Sequence, residues 1–233
     1  MLILAFETTA KSCSAAIHDG KKLLAESYQN SGLTHSQTLM VMAEDLLKVC
    51  GKSAADVTHL AVAAGPGSFT GVRIGVSAAK GFAWGAQLPV YGVSTLEAMA
   101  LGLGALDGHI CCCMDARRKQ VYNAIFLAEG GKLTRITDDR AISLEELEKE
   151  LQHIDGPIYL VGDGAALAHQ NLEHPELILP PEHRQHQRAS GVALAAMAAM
   201  VRGDCADGAA LQPNYLRLSQ AERERMEKLQ ANK

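Results

Sequence analysis

The sequence predicts an α/β fold of two lobes built on mixed sheets. Apolar runs bounded by turn residues alternate with segments of helical periodicity along most of the chain. The order strand, strand, strand, helix, strand, helix, strand, helix runs from Leu2 to Leu103. It begins again near His109, an internal repeat of architecture without matching sequence. The 233 residues, 48% hydrophobic and 21% charged, hold two lobes of about 100 residues each and exclude a mainly disordered chain.

Leu2–Phe6 reads as a strand, Glu7–Ser12 as a turn, Cys13–His18 as a strand, Asp19-Gly20 as a hairpin turn and Lys22–Tyr28 as a third strand. A helix over Thr34–Val49 places Leu39, Met42, Ala43, Leu46 and Leu47 at helical spacing and closes at Gly51. His59–Ala64 reads as a buried strand, followed by a glycine-rich loop, a helix to about Trp84, a strand Leu88–Tyr91 and a helix Thr95–Leu103. In the second half Ile110–Asp115, Val121–Leu127 and Leu133–Ile142 read as strands and Leu144–Gln152 as a helix. Strand Ile158–Val161, the turn Gly162-Asp163-Gly164, a short helix, a weak strand Glu176–Leu179 and a helix Gly191–Arg202 follow. This order describes the actin-like (ASKHA, ribonuclease-H-like) class. Its lobes are expected over 1–106 and 107–212, with an extension over 213–233 whose charged part from Ser219 reads as solvated.

Aromatic residues make up only 4%, so small side chains are expected to fill much of the core. A net charge of −4 advertises no basic surface; if RNA is involved, a partner is expected to do most of the holding. The N-terminus enters a strand pattern at once, without a basic leader, and the apolar stretches fall short of the roughly 20 residues that span a bilayer. A cytoplasmic protein without membrane contact is expected. The six cysteines form no CxxC pair, and Cys111, Cys112 and Cys113 fall in one strand where alternate side chains diverge, so core packing is expected rather than a metal site.

The loop Gly65-Pro66-Gly67-Ser68-Phe69-Thr70-Gly71 stands at a strand-to-helix turn, where backbone amides can face an anion. It lacks the Lys-Ser or Lys-Thr of a Walker A loop and the acidic partner of a dinucleotide fingerprint. Gly71 and Gly75, with Ala78 and Ala79, instead put small residues a helical turn apart, a face that another helix can approach closely. That helix is either Thr34–Val49 of this chain or a partner's, so Gly71, Ile74, Gly75 and Ala78 are candidate interface residues. Gln37, Met40 and Val41 of the first helix join them, and leucine at Gly75 is expected to block the approach while harming the isolated fold only modestly. Glu7, Thr8, Thr9, Gly65, Gly67 and Arg73 are candidate anion- or nucleotide-adjacent residues, with an ion pair from Arg73 to Glu7 or Glu97 the simpler expectation. His35, behind a Thr34 N-cap, reads as a capping neighbour, and His169, His174, His183 and His186 as surface loop.

Several strings together carry a family likeness: Ile3-Leu4-Ala5-Phe6-Glu7-Thr8-Thr9, Thr34-His35-Ser36, Gly65 through Gly75, Gly92-Val93-Ser94-Thr95-Leu96, Asp115-Ala116-Arg117 and Pro213-Asn214-Tyr215-Leu216-Arg217. The chain resembles the TsaB (YeaZ) family, most strongly over residues 1–125 and 213–217. The resemblance implies a role in making threonylcarbamoyladenosine next to the anticodon of tRNA. It implies action as the non-catalytic partner of its paralogue TsaD in a heterodimer joined by TsaE, with tRNA met through the complex. It also implies no cofactor on this chain alone, with ATP used by the complex near the TsaE junction, and no catalytic or metal-binding residue here. TsaD-like enzymes carry a His-x-x-x-His pair where this chain has Thr95 and Met99, and neither replaces an imidazole on a divalent cation. The second lobe's turn, Asp115 to Lys119, is bulky for a phosphate cradle. A self-standing enzyme of the same fold, metallopeptidase-like or kinase-like, and a homodimeric binding module stay open as alternatives.

Overall fold

The computed structural model describes residues 1–104, 106–204 and 207–217; the charged tail from Ser219 and Cys205 lie outside them. The first sheet has five strands, β1 (Ile3–Glu7), β2 (Cys13–His18), β3 (Leu23–Gln29), β4 (His59–Gly65) and β5 (Val90–Ser94), in the order β3-β2-β1-β4-β5. The second has β6 (Gly108–Asp115), β7 (Gln120–Glu129), β8 (Lys132–Arg135), β10 (Ile158–Val161) and β11 (Leu177–Ile178) in the order β11-β10-β6-β7-β8, with β9 (Arg140–Ser143) also on β7. In each sheet two antiparallel pairings are followed by parallel ones, so the architectural repeat is a repeat of connectivity. The stretch Leu133–Ile142 is two strands rather than one: Arg135 pairs with Asp139 at 2.7 Å across the break, and the Thr137 hydroxyl accepts from the Ile125 amide.

Among the described residues six α-helices cover the sheets: α1 (His35–Val49), α2 (Phe69–Ala86), α3 (Thr95–Leu103), α4 (Leu144–Leu151), α5 (Ala165–Asn171) and α6 (Ala189–Arg202). Local chemistry sets their starts. The Ser68 and Ser94 hydroxyls accept from the third helical amides, Gly71 and Glu97, and Ser143 with Glu146 forms a capping box. Helices α1 and α2 lie on one face of the first sheet, over Leu4, Phe6, Ile17, Leu60 and Val62, while α4 and α5 cover the outer face of the second. Between the sheets lie α6, on Ile3, Ala5, Ala16, Ala61 and Ala63, and α3, on Ile110, Cys112, Met114 and Phe126. Gly191 of α6 sits against the Ala98 carbonyl and Gly102 of α3, an approach only glycine allows.

Helix α6, which the sequence places with residues 107–212, therefore packs on the first sheet. The cause is its composition: Ala189, Ala193, Ala195 and Ala196 are small enough to lie flat on a sheet face that is itself alanine-rich. Cys111, Cys112 and Cys113 are wholly buried, as their place in a central strand requires.

Candidate functional site

A cleft of about 400 Å³ opens between the lobes, lined by the turn after β1 (Thr9 to Lys11), the glycine loop (Gly67 to Thr70), the end of β6 (Met114 to Arg117), Asp163 and the segment Asn214–Arg217. Its floor is acidic and buried. Glu7, at the end of β1, accepts from the Thr9 amide at 2.5 Å and the Thr9 hydroxyl at 2.7 Å through Oε1, while Oε2 is buried without a partner. Burial, opposed by the Thr9 bonds, pushes the Glu7 carboxyl up to about 7, and the charge of Asp163 adds to the rise. Asp163 is raised as well, first by its own burial. The buried Gln187 amide donates to Asp163 at 3.3 Å, so one acid from each lobe and the segment entering α6 meet here.

The glycine loop fits around the β1–β2 turn. The Ser68 amide donates to the Thr9 carbonyl at 2.6 Å and the Thr8 hydroxyl donates to the Gly71 carbonyl at 2.7 Å. A Cβ at Gly67 would stand 2.5 Å from the Thr9 carbonyl oxygen, one at Gly75 2.5 Å from the Thr8 hydroxyl, and one at Gly71 would strike the Thr8 carbonyl oxygen. Gly71 and Gly75 are thus turned inward, toward neither α1 nor a partner, which corrects their reading as interface residues. The small face exists so that α2 can lie against the β1–β2 turn and Val62. Glu7, Thr8 and Thr9 are buried beneath the loop, and Gly65 approaches the Asn214 carbonyl.

The other candidates divide differently. Met40 and Val41 are 42% and 56% exposed, Gln37 is exposed, and Met40, Ile74 and Ala78 line an open groove of about 440 Å³ between α1 and α2 with Ser36, Leu39 and Ser77. Arg73 makes neither expected ion pair; Glu97 is held by Arg135 and Arg202. Its guanidinium lies 4.0 Å over the Phe69 ring and donates to the Tyr215 hydroxyl at 2.9 Å, while Phe69 and Tyr215 stack at 4.1 Å. Residues 207–217 form a strap that no periodicity announces. Lys80 Nζ holds the Ala209 and Leu211 carbonyls, the Asn214 amide donates to Ala64, and Arg217 donates to the Ala116 carbonyl. His35 caps nothing; its Nε2 lies 2.9 Å from the Ala10 carbonyl.

The turn Arg117-Arg118-Lys119 takes positive φ at all three residues, 65°, 56° and 56°. It does so without glycine, and the bulk that weakens it as a phosphate cradle does not prevent the reversal. Asp115 Oδ1 accepts from the Arg117 amide at 2.7 Å and anchors the reversal. Asp163 and Gln187 escaped the sequence reading. The signal that marks Asp163 is positional: Gly162-Asp163-Gly164 stands at the end of β10 as Gly65-Pro66-Gly67 stands at the end of β4.

The fold and the cleft define an actin-like two-lobed protein, and the family model described as TsaD, tRNA N6-adenosine threonylcarbamoyltransferase, matches residues 29–224. The tRNA threonylcarbamoyladenosine biosynthesis protein TsaB of Bacillus subtilis is 32% identical over 225 residues, 95% of this chain and 96% of that one. The solved structure of YeaZ from Pseudomonas aeruginosa superposes with a TM-score of 0.76 at 25% identity, covering 92% of this chain and 99% of that one. The ethanolamine utilization protein EutJ from Carboxydothermus hydrogenoformans shares the fold, with a TM-score of 0.53 at 15% identity over 83% of this chain and 90% of that one. The chain belongs to the TsaB (YeaZ) family of tRNA threonylcarbamoyladenosine biosynthesis proteins. Among the described residues no helix is long and apolar enough to cross a membrane.

Proposed function

We propose that this chain is the non-catalytic partner of TsaD in threonylcarbamoyl transfer to tRNA, docking its paralogue on the α1–α2 groove and working with TsaE and ATP in the assembled complex. The observation that carries the reading is the groove: Met40 stands exposed beside Ile74 and Ala78, with Val41 exposed on the same helix and Trp84 78% exposed farther along α2. A flexible methionine in an apolar groove suits a helical partner. Thr95 and Met99, at the positions the family likeness assigns to the paralogue's histidine pair, are spent on packing. Both are buried, and Met99 lies in the core between α3 and β6.

Replacing Met40 and Ile74 together by glutamate is expected to weaken TsaD binding by at least about thirtyfold, the loss of one hot spot of about 2 kcal/mol. The thermal unfolding midpoint should fall modestly, because Met40 is exposed while the half-buried Ile74 also packs against the first-lobe core; Met40→Glu alone separates the two effects. Titration of labelled TsaD against both proteins reads the result, and unchanged affinity would remove the groove from the reading. The function itself is tested by omission. Purified TsaC, TsaD, TsaE, ATP, threonine, bicarbonate and unmodified tRNA are combined with and without this chain, and modified adenosine is scored by mass spectrometry. Modification that proceeds in its absence, or in the absence of TsaD, refutes the proposal.

A further inference from the structure

The net charge of −4 conceals a local excess of cations. Lys11, Arg117 and Arg217 reach the cleft from three separate places in the chain, and Arg118 and Lys119 continue the Arg117 turn outward. Against these five cations the rim sets one half-buried carboxylate, Asp115, 3.7 Å from Arg117, while Asp163 lies deep. The positive φ values of residues 117–119 make a tight reversal at the β6–β7 corner, and all three residues are exposed. Among the described residues the side chains of Arg118 and Lys119 have no hydrogen-bond or ion-pair partner. Beside this rim stands a second feature. Phe69 and Tyr215 stack at 4.1 Å, Arg73 lies beside both rings, 4.0 Å from the centre of Phe69 and 5.8 Å from that of Tyr215, and Tyr215 is 37% exposed.

Cations that follow a backbone beside an aromatic platform are the two parts of a single-stranded nucleic-acid contact: phosphates meet the charges and a base stacks on the ring. We infer that the cleft mouth is an RNA-contact surface, with Lys11, Arg117, Arg118 and Lys119 facing phosphates and Tyr215 offering its ring to an unpaired base. The inference rests on the proposed role in tRNA modification. Position supports it: Thr70 lines both the cleft and the α1–α2 groove, so RNA at the mouth would run directly beside TsaD docked on the groove. This chain would then share in holding the RNA, contrary to the expectation drawn from its net charge.

The test uses the complete complex with TsaD and unmodified tRNA. In the variant Lys11→Gln, Arg118→Asn, Lys119→Asn, asparagine is chosen because it tolerates the left-handed backbone at 118 and 119. Loss of three phosphate contacts is expected to lower tRNA affinity at least about tenfold. It should also reduce the slope of log affinity against log salt by about 2 for a single strand. TsaD association, measured in parallel, should not change. Tyr215→Leu, a separate variant that keeps bulk but removes the ring face, should weaken tRNA binding with the salt slope preserved. Unchanged tRNA affinity and slope in both variants, with TsaD still bound, overturns the inference while leaving the partner role standing. ATP affinity that falls in the variants while tRNA affinity does not overturns it in favour of a small nucleotide. If the omission assay shows this chain to be dispensable, the partner role has failed first.

Discussion

Glu7→Gln is expected to stabilise the protein by about 3 kcal/mol at pH 8 and to change it little near pH 4.5. The carboxyl is wholly buried and raised to about 7 from an ordinary 4.5. The folded state therefore keeps a proton that the unfolded chain releases, and stability falls as pH rises from about 4.5 to about 7, then levels off where both states are ionised. At about 1.36 kcal/mol per pH unit, that window corresponds to the quoted 3 kcal/mol. Glutamine retains an oxygen to accept from the Thr9 amide and hydroxyl, and it removes the buried charge whose Oε2 has no partner. Urea unfolding at pH 5, 6, 7 and 8 reads the effect: the parent should lose stability across the series and the variant should lose much less. Asp163, raised in the same direction, leaves a residual slope of the same sign. Parallel curves for the two proteins would show that Glu7 is not the buried acid described.

Gly71→Ala is expected to cost at least about 3 kcal/mol, and Gly75→Leu to abolish the folded state. In an exposed helix interior alanine would gain up to about 1 kcal/mol over glycine. Here its methyl meets the Thr8 carbonyl oxygen, a backbone atom that moves only by displacing the β1–β2 turn and with it Thr9 and Glu7. The clash outweighs the propensity, as overpacking against backbone usually does. At Gly75 the Cβ would stand 2.5 Å from the Thr8 hydroxyl and 3.2 Å from Val62, leaving no path for a leucine. Urea midpoints for Gly71→Ala, and soluble yield with far-ultraviolet circular dichroism for Gly75→Leu, check both. A Gly71→Ala midpoint equal to the parent's would mean that the turn yields without cost. A bulky residue at Gly75 therefore reports on folding, and the exposed Met40 is the position that best separates TsaD docking from folding.

The strands and helices were legible because their signals are local: Cys13–His18, Thr95–Leu103 and Ile158–Val161 emerge with the bounds that their periodicity marks. What escaped depends on residues far apart in sequence. Periodicity marks Gly71 and Gly75 as a close-packing face but cannot say that Thr8, sixty-three residues before Gly71, occupies it. Arg73 read as an ion-pair former because carboxylates are its common partners, yet the strap brings it an aromatic stack 142 residues away. Asp163 and Gln187 carry no motif of their own, and they matter only because two strand ends and the entry to α6 converge. Met40 and Val41 were legible for the opposite reason: they are apolar residues on the wrong side of an amphipathic helix, which a helical wheel exposes directly.

The position of α6 also sets an order of events. Ile3, Ala5, Ala16, Ala61 and Ala63 belong to strands made early in synthesis, yet what covers them is Ala189 to Ala196, made near the end. Synthesis runs ahead of burial by most of the chain's length, so the first half cannot complete its packing as it leaves the ribosome in the way an N-terminal unit ordinarily does. A protein cut short before α6 would carry an open alanine-lined sheet face. Only a finished chain can close that face.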